Sequence, residues 1–457
     1  MASHSSITDV DQSGHDARAD GALTHSRAIF QRLFGPPALR HFDIRYWDDS
    51  VEHGNAAVPP FTIVVRRRGA LRRMLLPPSE LSIVEAFLSG DIDVDGSIEA
   101  AATLGDAINA RLKAPREAAA IVADALSLPS NDVEPDMRIT RAARTVERSG
   151  KPHDRARDKA SSQYHYDVGN DFYALWLDAS MVYSCAYFHS ETDTLEAAQT
   201  AKLELICRKL RLEPGERLLD VGCGWGALII HAAKYHGVTA LGITLSEQQA
   251  TLARDRIQAA GLSDRCTVEL RDYRDLPAGV AFDKIASVGM VEHVGVDHLP
   301  EYFECLHRAL APGGLLLNHG IVNDGRARTE SWKDRFEAKL WRRDAFIDRY
   351  VFPDGKLAPY REIIAAGEAR GFETRDAESL REHYALTLRA WLARLMRNAE
   401  VATALSDART FRTWRLYMAA SAHGFASGRL NVVQTLFAKP DDAGHSMLPL
   451  TRVDQVF

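Results

Sequence analysis

Nine residues, Leu219-Asp-Val-Gly-Cys-Gly-Trp-Gly-Ala227, constrain this chain more than any other segment. An apolar strand runs into three glycines within five residues and then into a helix. Glycine adopts backbone dihedrals closed to other residues and lets a ligand approach the main chain. The surrounding sequence repeats the same alternation. Arg217-Leu-Leu-Asp-Val-Gly222 and Val238–Ile243 read as strands, and Ala227–Tyr235 and Glu247–Ala260 as helices. Thr267–Leu270 and Phe282–Val288 are further strands. His298–Leu310 is a helix stopped by Pro312-Gly-Gly, and Gly314–His319 is again a strand. This rhythm predicts an α/β fold with a parallel, doubly wound sheet and a ligand at its carboxyl edge.

With 457 residues, the chain has room for a second unit beside that sheet. Residues 1–24 are polar and predicted to be a disordered tail. Residues 25–130 read as a smaller N-terminal α+β domain, with a strand at Phe61–Val65 and helices at Ala70–Leu76, Glu80–Leu88 and Ser97–Arg111. Gly90-Asp-Ile-Asp-Val-Asp-Gly96 alternates apolar and acidic residues. It lacks the closing Glu of a calcium loop and reads as a strand or turn. Residues 131–160 form a basic linker, in which Arg138, Arg141, Arg144 and Arg148 share one helical face with Lys151, Arg155, Arg157 and Lys159 following. A solvated helix and a patch for anionic lipid head groups are both open readings. The main domain spans 161–440, and 441–457 is a C-terminal tail.

The formal net charge of −6 gives no basic excess of the kind a nucleic-acid binder shows. The five cysteines (185, 207, 223, 266 and 305) contain no C-x-x-C spacing, so neither a disulfide framework nor a zinc site is expected. The sequence has no signal-like N-terminus and no run of ~18 apolar residues. The expected location is the cytoplasm.

Two cofactor classes compete for the glycine loop. Gly222-x-Gly224-x-x-Ala227 satisfies the dinucleotide fingerprint, but that match alone is weak. The acid expected at the tip of the second strand is missing, since that strand ends Gly242-Ile-Thr-Leu-Ser-Glu-Gln-Gln249. The fuller pattern, Asp220-x-Gly222-x-Gly224-x-Gly226, is that of S-adenosylmethionine (SAM) methyltransferases. There Asp220 lies beside the loop, positioned to hold the loop or the sulfonium side of a cationic ligand.

Several ordered segments carry a wider resemblance. They are Tyr164-His-Tyr-Asp-Val-Gly-Asn-Asp-Phe-Tyr173, Met181-Val-Tyr-Ser-Cys-Ala-Tyr-Phe188, Leu218–Gly226, Gly242–Gln249, Val288-Gly-Met-Val-Glu-His-Val-Gly295, Phe346-Ile-Asp-Arg-Tyr-Val-Phe-Pro353 and His383-Tyr-Ala-Leu-Thr-Leu388. Together they resemble the cyclopropane-fatty-acyl-phospholipid synthase family, which includes the mycolic acid cyclopropane synthases. The resemblance implies a Rossmann-like class I SAM-dependent methyltransferase domain with a smaller N-terminal α+β domain. It implies SAM contacts from Tyr183 and Ser184, and from Asp220, Gly222, Cys223, Gly224 and Gly226 in the loop. Thr244, Leu245, Ser246 and Gln249 are implied at the ribose, and Asp272 and Tyr273 near the adenine.

The implied reaction adds a methylene group from SAM to the cis double bond of a phospholipid acyl chain. An alkene is a poor nucleophile, so a strong electrophile, a base and exclusion of water are all required. Family members are understood to bind bicarbonate as that base. Its ligands map onto the backbone of Cys185 and Ile321 and the side chains of Glu292, His319 and Tyr384. Direct deprotonation by Glu292 is the simpler alternative. A sister reaction, which methylates the same alkene but loses a different proton, would give a methyl- or methylene-branched chain. A non-catalytic lipid binder and a small-molecule methyltransferase are the other readings. The implied partners are unsaturated phospholipid acyl chains and the inner membrane face, met peripherally, with no nucleic acid. The long bacterial members imply a homodimer. Trp332, Phe336, Leu340, Trp341 and Ala345, among basic residues, read as a packed helix, an acyl-channel wall or a membrane-docking surface.

Overall fold

The computed structural model describes residues 10–132, 155, 157, 168–277, 281–323, 345–352, 355, 357–446 and 448–451, with side chains from residue 21 onward. Most of the basic linker and the Trp332–Trp341 segment lie outside the described residues. The chain divides into two compact units. One comprises Met1–Arg144, Thr329–Tyr350 and Arg412–Ala420, and the other Thr145–Arg328, Val351–Phe411 and Ser421–Phe457.

The first unit holds strands β1 (Asp43–Arg45), β2 (Val51–Glu52), β3 (Phe61–Val65) and β4 (Ile92–Gly96) in the order β2-β1-β3-β4. Phe61, Ile63 and Val65 alternate along β3 and enter one core with Phe42, Ile44 and Leu71. A helix, Val10–Phe34, begins inside the segment that composition assigns to a disordered tail. Ala22, Ser26, Ile29, Phe30 and Leu33 are buried at helical spacing, so a stripe hidden among polar residues orders residues 21–24. The single helix predicted over Ser97–Arg111 is two, Ile98–Ala102 and Leu104–Leu112. They meet at Thr103, whose hydroxyl donates back to the Ala100 carbonyl at 2.6 Å. The acidic alternation forms β4. There Asp93 meets Arg66, Arg412 and Arg415 at 3.0, 2.6 and 3.0 Å.

The second unit is built on seven strands: β5 (Arg217–Val221), β6 (Thr239–Thr244), β7 (Cys266–Leu270), β8 (Phe282–Val288), β9 (Leu310–Asn323), β10 (Glu373–Ser379) and β11 (Leu430–Ala438). Their order is β10-β11-β9-β8-β5-β6-β7. The five strands from β7 to β9 pair in parallel, as the alternation of strand and helix predicts. β11 then runs antiparallel to β9, and β10 antiparallel to β11. Apolar side chains on the two faces of the sheet form separate cores. One includes Leu218, Ala240 and Leu317 under the helices Leu195–Lys209 and Ala227–His236. The other includes Leu219, Ile243 and Leu316 under the helices Leu299–Ala309 and Tyr360–Glu368. The strand order reverses between β5 and β8, which opens a crevice at their carboxyl ends.

Candidate active site

The glycine loop leaves β5 at that crevice. Gly222, Gly224 and Gly226 have φ values of 82°, 52° and 82°, the left-handed region that favours glycine. A Cβ on Gly222 would lie 2.4 Å from Met290 Cγ. The Gly222 and Cys223 amides donate to the Ile243 carbonyl at 2.9 and 3.0 Å, which anchors the loop to the tip of β6.

A pocket opens beside the loop. It is lined by Tyr183, Ser184, Asp220, Gly222, Cys223, Gly224, Thr244, Leu245, Gln249, Asp272 and Tyr273, so eleven of the thirteen positions expected at the cofactor meet there. Gly226 and Ser246 are not among the lining residues. Gly226 caps the helix Ala227–His236 in a left-handed conformation. Ser246 caps the helix Glu247–Ala259, its hydroxyl accepting from the Gln249 amide. Asp272 is less free than the resemblance implies. Arg274 holds both its oxygens, at 2.9 and 2.6 Å, and keeps its carboxyl below the usual range.

Asp220 is buried, and its Oδ1 has no hydrogen-bond partner. Burial pushes its carboxyl up to about 7, with Lys202 opposing the shift. Lys202 is itself buried and donates to Ser184 Oγ at 2.8 Å. Burial lowers its ammonium to about 8. Sequence reasoning missed Lys202, although a signal existed: the residue sits on the stripe Leu195, Ala198, Lys202, Leu203 and Ile206, the buried face of its helix.

Backbone contacts connect the segments that carry the five positions expected around the base. The Cys185 thiol faces the carbonyls of Ala186, at 3.2 Å, and Leu380, at 3.7 Å. Leu380 immediately precedes the helix Arg381–Arg397, which carries Tyr384, and its amide donates to the Val432 carbonyl at 2.8 Å. Val432 on β11 pairs with Ile321 on β9. The Ile321 amide donates to Glu292 Oε1 at 2.7 Å, so that N–H is already committed to the carboxylate. His319 lies two residues earlier, on the same face of β9 as Ile321.

Three features of this cluster bear on proton chemistry. Burial pushes the Glu292 carboxyl up to about 7, and its Oε2 is buried without a partner. Burial, with Lys202 and Lys209 adding to it, lowers the His319 imidazole to about 3, so the ring is neutral near pH 7. Its Nδ1 faces Gln434 Nε2 at 3.2 Å, while Nε2 is buried without a hydrogen-bond partner. With the amide donating, the ring proton sits on that free Nε2. Burial also pushes the Cys185 thiol up, so it stays protonated and is no nucleophile. Gln434 escaped sequence reasoning because β11 itself did.

An aromatic wall adjoins the pocket. The Tyr183 ring lies 5.5 Å from Tyr173, 5.5 Å from Trp176 and 5.3 Å from Trp391. Tyr384 continues the wall, 6.0 Å from Trp391 and 4.6 Å from Phe425. Trp176 and Trp391 are completely buried. Such a surface excludes water and presents electron-rich ring faces.

Comparison with known proteins identifies relatives for this arrangement. Residues 153–435 match the family described as mycolic acid cyclopropane synthetase, and residues 28–105 match a domain family of unknown function. A "probable fatty acid methyltransferase" of Pseudomonas putida is 39% identical over 427 residues, spanning 92% of this chain and 98% of its own. The "cyclopropane-fatty-acyl-phospholipid synthase" of Escherichia coli K12 is 37% identical over 281 residues, covering 61% of this chain and 68% of its own. A mycolic acid cyclopropane synthase solved with SAH and CTAB superposes with a TM-score of 0.57 at 33% identity. It covers 63% of this chain and 99% of the solved one.

Proposed function

The chain belongs to the mycolic acid cyclopropane synthetase family, and from that premise we propose that it converts the cis double bond of unsaturated phospholipid acyl chains into a cyclopropane ring, with SAM as the one-carbon donor. The observation that carries this reading is the pairing of two environments in one unit: a glycine-loop pocket with an unpartnered buried carboxylate oxygen on Asp220, and a neighbouring cluster with unpartnered buried polar atoms on Glu292 and His319.

The pocket suits SAM. Asp220 presents a carboxylate to a cationic ligand, and the φ > 0 glycines leave room at the loop. Tyr183 and Ser184 close one side, and Thr244, Leu245 and Gln249 another. SAM supplies a methyl group on a neutral leaving group, electrophilic enough to be attacked by an alkene. The chain's own residues then deal with the positive charge left on the acyl substrate. The aromatic wall excludes water that would trap that charge and stabilises it through ring faces, each contact worth roughly 0.5–2 kcal/mol.

Ring closure requires removal of a proton from the transferred methyl group. Glu292, with its carboxyl near neutrality, is matched to that work at physiological pH. Bicarbonate also fits the cluster. The free Nε2 of His319 and Oε2 of Glu292 would hold it beside Tyr384, where it would act as the base and Glu292 would share its proton. In either case the cluster sets the outcome. A proton taken at once gives the ring, whereas charge that moves along the chain first gives a branched product.

The branched product is a second reading, favoured by one observation. The relative that this chain matches along almost its whole length is named a fatty acid methyltransferase. Glu292→Gln separates the catalytic assignment from a mere fold likeness. SAM affinity is expected to stay within about twofold while turnover falls ~10²–10⁴-fold. Loss of both together would refute the assignment. We also propose that the protein meets its substrate at the membrane surface, because phospholipid acyl chains are held in a bilayer; among the described residues no helix is long and apolar enough to cross a membrane.

A further inference from the structure

Outside the residues assigned to cofactor and base, four side chains meet between the helices Leu195–Lys209 and Ala227–His236. Glu204 and Cys207 stand three residues apart on the first, on one face. His231 and His236 stand on the second, His236 at its last residue. One ligand atom each from Cys207, His231 and His236 lies within 4.8 Å of the others. Glu204 Oε2 lies 3.2 Å from His231 Nε2 and 3.0 Å from His236 Nε2. Nitrogen and oxygen donors bound tetrahedrally at ~2.0–2.1 Å stand about 3.3 Å from each other, so the carboxylate oxygen already lies at close to that spacing from each imidazole nitrogen. Arg208 Nε donates to the other carboxylate oxygen, Oε1, at 2.8 Å. That bond leaves Oε2 as the single facing donor and fixes its direction, as outer-shell partners do around metals.

We propose that Glu204, Cys207, His231 and His236 form a zinc site that clamps these two helices together. A thiolate, two imidazoles and one carboxylate suit a borderline-soft tetrahedral ion and not the oxygen-seeking magnesium or calcium. The thiol is buried in the core, while the His236 side chain is 18% exposed and gives the ion a route from solvent. The site has a consequence for the cofactor pocket. Lys202, Leu203 and Ile206 of the first helix and Ala227 and Leu228 of the second line that pocket, so the clamp holds its wall. Cysteine spacing alone predicts no zinc site in this sequence. A single cysteine and two histidines five residues apart carry no familiar signature, and only the packing of the helices unites them.

The full chain, stripped with a chelator and titrated with Co²⁺ as an absorbing substitute for zinc, tests this. The expected result is saturation at one equivalent in the micromolar range or tighter, with a sulfur-to-cobalt charge-transfer band that Zn²⁺ abolishes by displacement. Cys207→Ala should remove the band, and His236→Gln should weaken affinity at least roughly tenfold, both with native circular dichroism. Zinc should also raise the wild-type unfolding temperature, a shift that His236→Gln loses. That arm keeps the test decisive if Cys207→Ala does not fold. Binding without the band, a band that survives in Cys207→Ala, or no saturation below millimolar metal would overturn the proposal. The cluster would then be an ion-pair network between Glu204, Arg208 and the two histidines.

Discussion

Two carboxylates, Asp220 and Glu292, are raised to about 7 by burial, and they are assigned different work. A raised carboxyl is protonated below its pKa and charged above it. SAM affinity is therefore expected to rise with pH through about 7 as Asp220 ionises, and turnover at saturating SAM to rise through about 7 as Glu292 ionises. Calorimetric titration of SAM from pH 6 to 8 and the pH profile of kcat measure the two separately. Asp220→Asn should flatten the first by removing the charge, with affinity lower above about pH 7 and close to wild type below it, and Glu292→Gln should flatten the second. A profile unchanged by its assigned substitution would remove that residue from its role. The identity of both carboxylates was legible in sequence, Asp220 from the glycine loop and Glu292 from the family resemblance. Their environment was not. Lys202, the free Nε2 of His319 and the grip of Arg274 on Asp272 depend on which face of a helix or strand is buried. A side chain's hydrogen-bond partners come from distant strands.

Placement of Glu292 depends on a short helix, Val291–Val294, seated against β9 where Gly320 has no side chain. A Cβ on Gly320 would come 2.2 Å from Val291 Cγ1 and 3.7 Å from Glu292 Oε2. Gly320→Ala is therefore expected to push that helix outward and break the Glu292–Ile321 bond. Turnover should fall at least roughly tenfold with SAM affinity nearly intact, a split that steady-state kinetics and calorimetry resolve. Gly222→Ala is the converse case. Its Cβ would strike Met290 at the cofactor loop, so SAM binding should be lost first. The parallel strands were legible because continuous apolar runs and glycine turns mark them. The antiparallel pair β10 and β11 was not. Glu373–Ser379 is polar except for Ala377, with alternating exposure, and β11 buries Gln434 and Thr435 among its apolar residues. Neither strand shows a clean apolar alternation, and β11 is where Gln434 reaches His319.

At the scale of the whole molecule, composition was a weak guide. A net charge of −6 says nothing about where charge is displayed, and polar residues near the N-terminus conceal the apolar stripe of the helix Val10–Phe34. The family matches cover 28–105 and 153–435, so the second begins inside the basic linker of 131–160. Neutralising Arg138, Arg141, Arg144 and Arg148 together should weaken binding to anionic vesicles several-fold at low salt and much less at high salt. Unchanged sedimentation with vesicles would make the linker a plain connector. The central claim concerns the product. Incubation with SAM and vesicles of cis-unsaturated phospholipid, followed by mass spectrometry and proton NMR of the released acyl chains, reads it directly. The proposed reaction adds one CH₂ per double bond consumed, with ring protons upfield of every other lipid signal. Chains of the same added mass bearing a methylene branch, or unreacted chains while SAM is bound, would contradict it.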